Sequence, residues 1–207
     1  MNIKRKTINL VLMALLTAIL FIMSLTPLGY LNIGPLAITF NMIPVAIGAI
    51  LLGPVGGGIL GFVFGMTSFL QAAGVMGASP LGTLLFAENP FFTFIVCVVA
   101  RTLDGVIIGF VCKGMSKAIK NKIPVYGVTG FLAAALNTVL FMGALVIFFS
   151  DLLVEKGFWA NGKNVIVFIA GFVGVNALVE MGVATVLTAI IGFALYKARL
   201  INVNTQN

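Results

Sequence analysis

The chain has 207 residues, 61% of them hydrophobic and 8% charged, and its 12 Lys/Arg against 5 Asp/Glu leave a net charge of +7. A soluble domain carries about 25% charged residues, so a soluble fold is excluded, as are disordered and fibrous classes. Long unbroken apolar runs, in place of weak ten-residue alternation, point to an all-α polytopic membrane protein and away from a β-barrel.

Six transmembrane helices follow in chain order, at residues 7–25, 36–53, 55–73, 90–115, 125–149 and 165–196, and make one integral membrane domain over residues 1–207. Pro27 stops the first, and Pro54, Pro90 and Pro124 stand at other helix boundaries. The second span is the least regular. Pro44 lies inside it, and its Gly34-Pro35 entry also reads as a loop dipping inward. The opening Lys4-Arg5-Lys6 and the apolar run after it imitate a signal peptide. The length of that run, the missing small-residue cleavage site and the five later spans argue for a retained helix. Six spans take roughly 130 residues. No second soluble domain fits, so any energy source belongs to another chain or to an ion gradient.

Charge sets the orientation. Lys4, Arg5, Lys6, Lys113, Lys117, Lys120, Lys122, Lys197 and Arg199, nine of the twelve basic residues, fall on one side of a six-span chain. Glu88, Asp151, Glu155, Lys156 and Lys163 fall on the other. The positive-inside rule puts both termini in the cytoplasm. Topology thus accounts for the +7, and no nucleic-acid partner is needed.

With no His, the chain has no imidazole for metal ligation or acid/base work, and no metal or cofactor is expected. Cys97 and Cys112 are about 22 Å apart along one helix, too far for a disulfide. Gly157 to Asn164 comes close to a phosphate-binding loop, but Asn164 replaces the required Ser/Thr and no strand precedes it. Trp159 in that loop reads as an interface anchor. Gly53, Gly57, Gly61 and Gly65 form a stripe that suits close helix approach, read first as packing between spans of this chain. Ala14 and Ala18 give a shorter stripe in the first span.

Polar residues within the spans carry the functional signal. A buried Arg costs at least about 2.5–3.5 kcal/mol on insertion scales, so it needs a partner or a purpose. Arg101 lies mid-span, one turn before Asp104, and Thr93, Cys97, Arg101 and Asp104 share a face. Asn176 and Glu180 are four apart on the sixth span, Asn137 and Thr138 lie mid-fifth, and Thr67, Ser68 and Gln71 lie toward the outer end of the third. Asn41 precedes Pro44 in the second, and Asn89 precedes Pro90. Four spans thus offer polar groups at comparable depth. They suit a pocket of amides, hydroxyls, one cation and one or two carboxylates. A structural network, with Arg101 tied to Asp104 or Glu180, stands beside that reading.

The run 26–54, with its Ile43-Pro44 step and Leu52-Gly53-Pro54 end, and the glycine-rich span after it resemble the membrane S components of energy-coupling factor (ECF) vitamin transporters. Six spans, a basic start and the chain length fit as well, and the likeness covers nearly the whole chain. The resemblance implies a substrate-binding subunit with no motor, working with a T subunit and two cytoplasmic ATPases. It implies that Ala14 and Ala18, matching the family's first-helix AxxxA pair, contact the T subunit. It places the ligand near the outer side, under loops at 27–35, 74–89 and 150–164. Within the family, residues 33–54 and 88–101 are most similar to the pantothenate-specific members. The site residues then expected are Arg101, Asn137, Asn176, Glu180, Gln71, Asn41 and Asn89. An Arg pairs a carboxylate bidentately, and amides serve the ligand's amide and hydroxyls. S components for riboflavin, folate, pyridoxine or hydroxymethylpyrimidine are the neighbouring alternatives. Outside the family, an ion-coupled carrier should show two related halves, and residues 1–103 and 104–207 show no repeat. A membrane enzyme needs His or a dense carboxylate cluster, which the sequence lacks.

Overall fold

A computed structural model describes residues 3–26, 29–32, 37–77, 79–159 and 164–201. Pro27, the Gly34-Pro35 entry and loop positions 160–163 lie outside the described residues. The elements in order are α1 (Ile3–Leu25), β1 (Tyr30–Asn32), β2 (Ala37–Thr39), α2 (Met42–Ala72), α3 (Pro80–Glu88), α4 (Pro90–Phe94), a π-helical turn (Ile95–Val99), α5 (Ala100–Ala118), α6 (Lys122–Glu155) and α7 (Val165–Lys197). Five continuous stretches among the described residues are long and apolar enough to cross a membrane: Lys6–Leu25, Met42–Ala72, Pro90–Ala118, Lys122–Glu155 and Val165–Lys197.

The second of these stretches is two helices. A straight 31-residue helix would hold its ends about 45 Å apart. Here Asn41, just before α2, and Thr67, near its end, both reach Ser24 at the close of α1. Asn41 Nδ2 donates to Ser24 Oγ at 3.3 Å, and the Ser24 and Thr67 hydroxyls are 3.1 Å apart. The chain must therefore fold back, and it does so at Gly53, whose φ of 69° and ψ of −157° suit only glycine. Pro54 then opens the second arm, where its missing N–H costs nothing. The arms 42–52 and 54–72 answer to the expected second and third spans, and the chain makes six passes.

The first arm corrects the expected 36–53 span. It starts at Met42, because 37–39 pair as β2 with β1, Tyr30 opposite Thr39. These three-residue strands are the one departure from an all-α chain among the described residues. Eleven helical residues reach about 16 Å, half the roughly 30 Å hydrocarbon core. The arm tolerates this because protein, not lipid, surrounds it: every residue from Met42 to Leu51 is buried. Pro44 lies in its first turn, where helix N–H groups have no intrahelical partner to lose.

The glycine stripe is an internal seam, as the sequence suggested. The arm 54–72 runs antiparallel to α5 with backbone against backbone. A Cβ on Gly61 would overlap the Arg101 carbonyl oxygen, one on Gly57 the Gly105 carbonyl oxygen, and one on Gly65 would lie 2.6 Å from Val98 Cα. Gly109 meets the Gly53-Pro54 turn in the same way. Without a hydrophobic force between helices in lipid, such close approach supplies the packing that holds them together.

Two apolar clusters result. One surrounds the short arm and includes Leu20, Val45, Leu60, Phe64, Ile108 and Tyr126. The other lies at the opposite end, around Leu85, Val96, Met142, Leu145 and Leu153, with Phe92 stacked on Phe148 at 4.8 Å and Trp159 on Phe168 at 5.3 Å. At the basic end, Lys122 Nζ donates to the carbonyls of Ser116 and Ile119 as α5 ends. Tyr126 and Tyr196 bring the start of α6 to the end of α7 there. The positive-inside rule assigns this end to the cytoplasm. Cys97 and Cys112 are both free and buried.

Candidate substrate-binding cavity

A cavity of about 380 Å³ opens toward the end opposite the basic one. That is at the small end of the range for small-molecule sites, about 300–1,000 Å³. Arg101, Asn137, Asn176, Glu180 and Gln71 all line it, together with Ser24, Thr26, Thr39, Ser68 and Thr138. Of the three loops expected over the ligand, the middle one contributes Met76, Gly77 and Ser79, and Thr26 and Thr39, which flank the first, also line the cavity. No described residue of 150–159 lines it.

Arg101 is placed by four features. The glycine seam fixes one face of its helical turn. The π-helical turn Ile95–Val99 lies just before it, and such turns shift the carbonyl ladder. Arg101 Nη1 donates to the Cys97 carbonyl at 3.0 Å and to that of Val96 at 3.5 Å. The guanidinium carbon sits 4.5 Å from the Phe64 ring centre and 5.0 Å from that of Phe141. Two aromatic faces contribute about 0.5–2 kcal/mol each to holding a cation. They do not neutralise it, and Arg101 Nε has no hydrogen-bond partner. Neither expected acid pairs with it. Among the described residues the one ion pair is Lys156–Glu155, outside the cavity. Asp104 is fully buried with no hydrogen bond to either carboxyl oxygen.

Glu180 sits across the cavity on α7. Its buried residues Ala177, Glu180, Ala184, Thr188 and Gly192 form one stripe at helical spacing. Its Oε1 accepts the Thr39 backbone N–H at 2.6 Å, joining α7 to the strand hairpin across 141 residues. On the facing wall Gln71 Nε2 donates to the Ser24 carbonyl at 2.7 Å. Asn137 is buried with its Oδ1 unpartnered, and Ser68 Oγ donates to Cys97 Sγ at 3.8 Å.

Two expected site residues stand elsewhere. Asn89 caps α4: its side-chain oxygen accepts the N–H groups of Phe91 and Phe92, with Pro90 in the first turn. Asn41 is fully buried behind Ser24 and does not line the cavity. Sequence reasoning left 74–89 as a loop and so missed α3, which supplies Leu81, Gly82 and Leu85 to the cavity wall. The signal was present: Ser79 is an N-cap, Pro80 opens the helix, and Leu81 and Leu85 are four apart. Phe64 and Phe141, the rings around Arg101, were also missed, being indistinguishable in sequence from ordinary core phenylalanines.

The family model for the substrate-specific component of ECF transporters matches residues 9–192. The chain belongs to that family. It is therefore a multi-pass membrane protein and the substrate-specific component of an ECF transporter. Two curated relatives cover nearly the same length. The pantothenate transporter PanT of Leuconostoc mesenteroides is 33% identical over 197 residues, 90% of this chain and 91% of its own. The pantothenic acid transporter PanT of Lactococcus lactis is 29% identical over 206 residues, 95% of this chain and 97% of its own.

Proposed function

We propose that this S component binds pantothenate, that it is not an enzyme, and that it delivers its ligand through a T subunit and two cytoplasmic ATPases. The observation that carries the ligand is a buried cation in the cavity with no carboxylate in direct contact with it. Arg101 lies in a small cavity, held by rings and backbone carbonyls, with no acid paired to it. A ligand carboxylate supplies the direct ion-pair partner that the protein does not. Pantothenate has one carboxylate, one amide and two hydroxyls. Asn137, Asn176 and Gln71 offer complementary groups along the same cavity, and the names of both relatives agree. In this reading Asn41 and Asn89 act on the site through structure, not by touching the ligand.

The proposed T-subunit contact rests on α1. Ala14 and Ala18 are exposed on the face opposite the buried Leu16 and Leu20. Small residues there admit close approach by a partner helix. Protein purified in detergent is expected to bind pantothenate unaided, whereas concentrative uptake requires the partner chains. Ala18→Leu is expected to weaken assembly and leave ligand affinity near wild type. Concentrative uptake by this chain alone in ATP-free proteoliposomes would overturn the assignment. Lost ligand binding with normal assembly in Ala18→Leu would place the alanine stripe inside the fold.

A further inference from the structure

We infer that Glu180 is the specificity residue for the hydroxyl-bearing end of the ligand, oriented for that task by the backbone of the strand hairpin; this rests on the pantothenate reading. The cavity holds a guanidinium, Arg101, and a carboxyl group, Glu180, that do not form an ion pair with each other. A single ligand with an anionic end and a donor end satisfies both. An ionised carboxylate has about four acceptor positions. Thr39 N–H takes one of those on Oε1, and that bond fixes the plane in which the others point. Glu180 is 7% exposed, so the rest of its hydrogen bonding cannot be met by bulk water without cost.

Glu180 accepts the Thr39 N–H, and the hydroxyls of an entering ligand suit its remaining acceptor positions. Among the described lining residues, Arg101 Nη1 is spent on the Val96 and Cys97 carbonyls, and Gln71 Nε2 on the Ser24 carbonyl. The Thr138 hydroxyl donates to the Ala134 carbonyl. A hydroxyl donates to a carboxylate in a short, charge-assisted bond, about twice as strong as a neutral one. Glu180 thus discriminates by hydrogen-bond donors, as Arg101 discriminates by charge. Anions of similar size without hydroxyls bind Arg101 and leave Glu180 unpaired, and that is the source of their rejection.

The test compares three compounds on detergent-purified protein by calorimetry. They are pantothenate; pantothenol, which lacks the carboxylate; and N-(3,3-dimethylbutanoyl)-β-alanine, which keeps carboxylate and amide but lacks both hydroxyls. Wild type is expected to favour pantothenate over the dideoxy compound by about tenfold to a hundredfold. Glu180→Gln keeps an acceptor for Thr39 N–H. It is expected to reduce that preference to about one-tenth of its wild-type value and to leave the acid-to-alcohol preference intact. A role confined to holding the hairpin would weaken all three compounds alike. Equal wild-type affinity for pantothenate and the dideoxy compound overturns the inference with no variant needed. So does an unchanged preference in folded Glu180→Gln. If wild type binds neither pantothenate nor pantothenol, the ligand reading itself falls and this inference with it.

Discussion

The α2–α5 side of the cavity and the α6–α7 side face the same space but differ in how many glycine contacts hold them. On the first, glycines bring two backbones into contact, and the turn that carries Arg101 lies against Gly61 with no side chain between them. On the second, Gly130 of α6 meets the Ala184 carbonyl of α7 in the same way, one turn past Glu180, while Gly171, Gly174 and Gly182 have nothing within 4 Å of where a Cβ would stand. Val175 and Leu178 there are about three-quarters exposed toward lipid. The cation therefore stands on a wall held by glycine contacts at successive turns, and the amide and carboxylate of α7 stand on a wall with fewer of them. Charge recognition demands a fixed guanidinium, because preorganisation removes the cost of ordering it on binding. Hydrogen-bond recognition of a flexible polyol tolerates more adjustment.

The largest expected effect breaks the glycine-held wall. Gly61→Ala drives a methyl into the Arg101 carbonyl, and overpacking of this kind commonly costs about 1–3 kcal/mol, more where backbone is the obstacle. The melting temperature in detergent and the pantothenate affinity should fall together, because Arg101 rides on the displaced turn. Gly182→Ala on the other wall meets open space. It is expected to leave binding unchanged and to stabilise by about 0.5–1 kcal/mol through lower unfolded-chain entropy. Equal effects of the two substitutions would erase the distinction between the walls.

A smaller effect sharpens the line between site and scaffold. Asn89→Ala removes the cap from α4 and should cost about 1 kcal/mol of stability. Pantothenate affinity measured on the folded fraction should not change. A clear loss of affinity would return Asn89 to the ligand.

The sequence made some of this legible because burial in lipid is harsh on polar groups. Arg101, Asn137, Asn176, Glu180 and Gln71 stood out against apolar runs, and the structure gathers all five on one cavity. Charge asymmetry read the topology for the same reason. The rest failed where one residue type serves two ends. An asparagine before a proline fits a ligand site and a helix cap equally, and only the N–H groups of Phe91 and Phe92 decide for the cap at Asn89. Apolar periodicity does not register a chain reversal, so the start of α2 at Met42 was placed six residues too early. The π-helical turn at 95–99 was not legible, because its apolar residues continue the pattern of the helix around it. Pairing of Arg101 with Asp104 or Glu180 stood beside the ligand reading, and i,i+3 spacing does bring Asp104 to the same face. Facing the same way is weaker than pairing, and the rings of Phe64 and Phe141 hold the guanidinium instead.

The most direct measurement is the ratio of pantothenate to pantothenol affinity in wild type and in folded Arg101→Gln. Losing a charge-assisted pair in a dehydrated site costs about 2–5 kcal/mol, or roughly 30-fold to several thousand-fold in affinity. Wild type should therefore prefer the acid strongly, and Arg101→Gln should bind acid and alcohol nearly alike. A variant that keeps the wild-type ratio would show that Arg101 supports the fold and does not read the carboxylate.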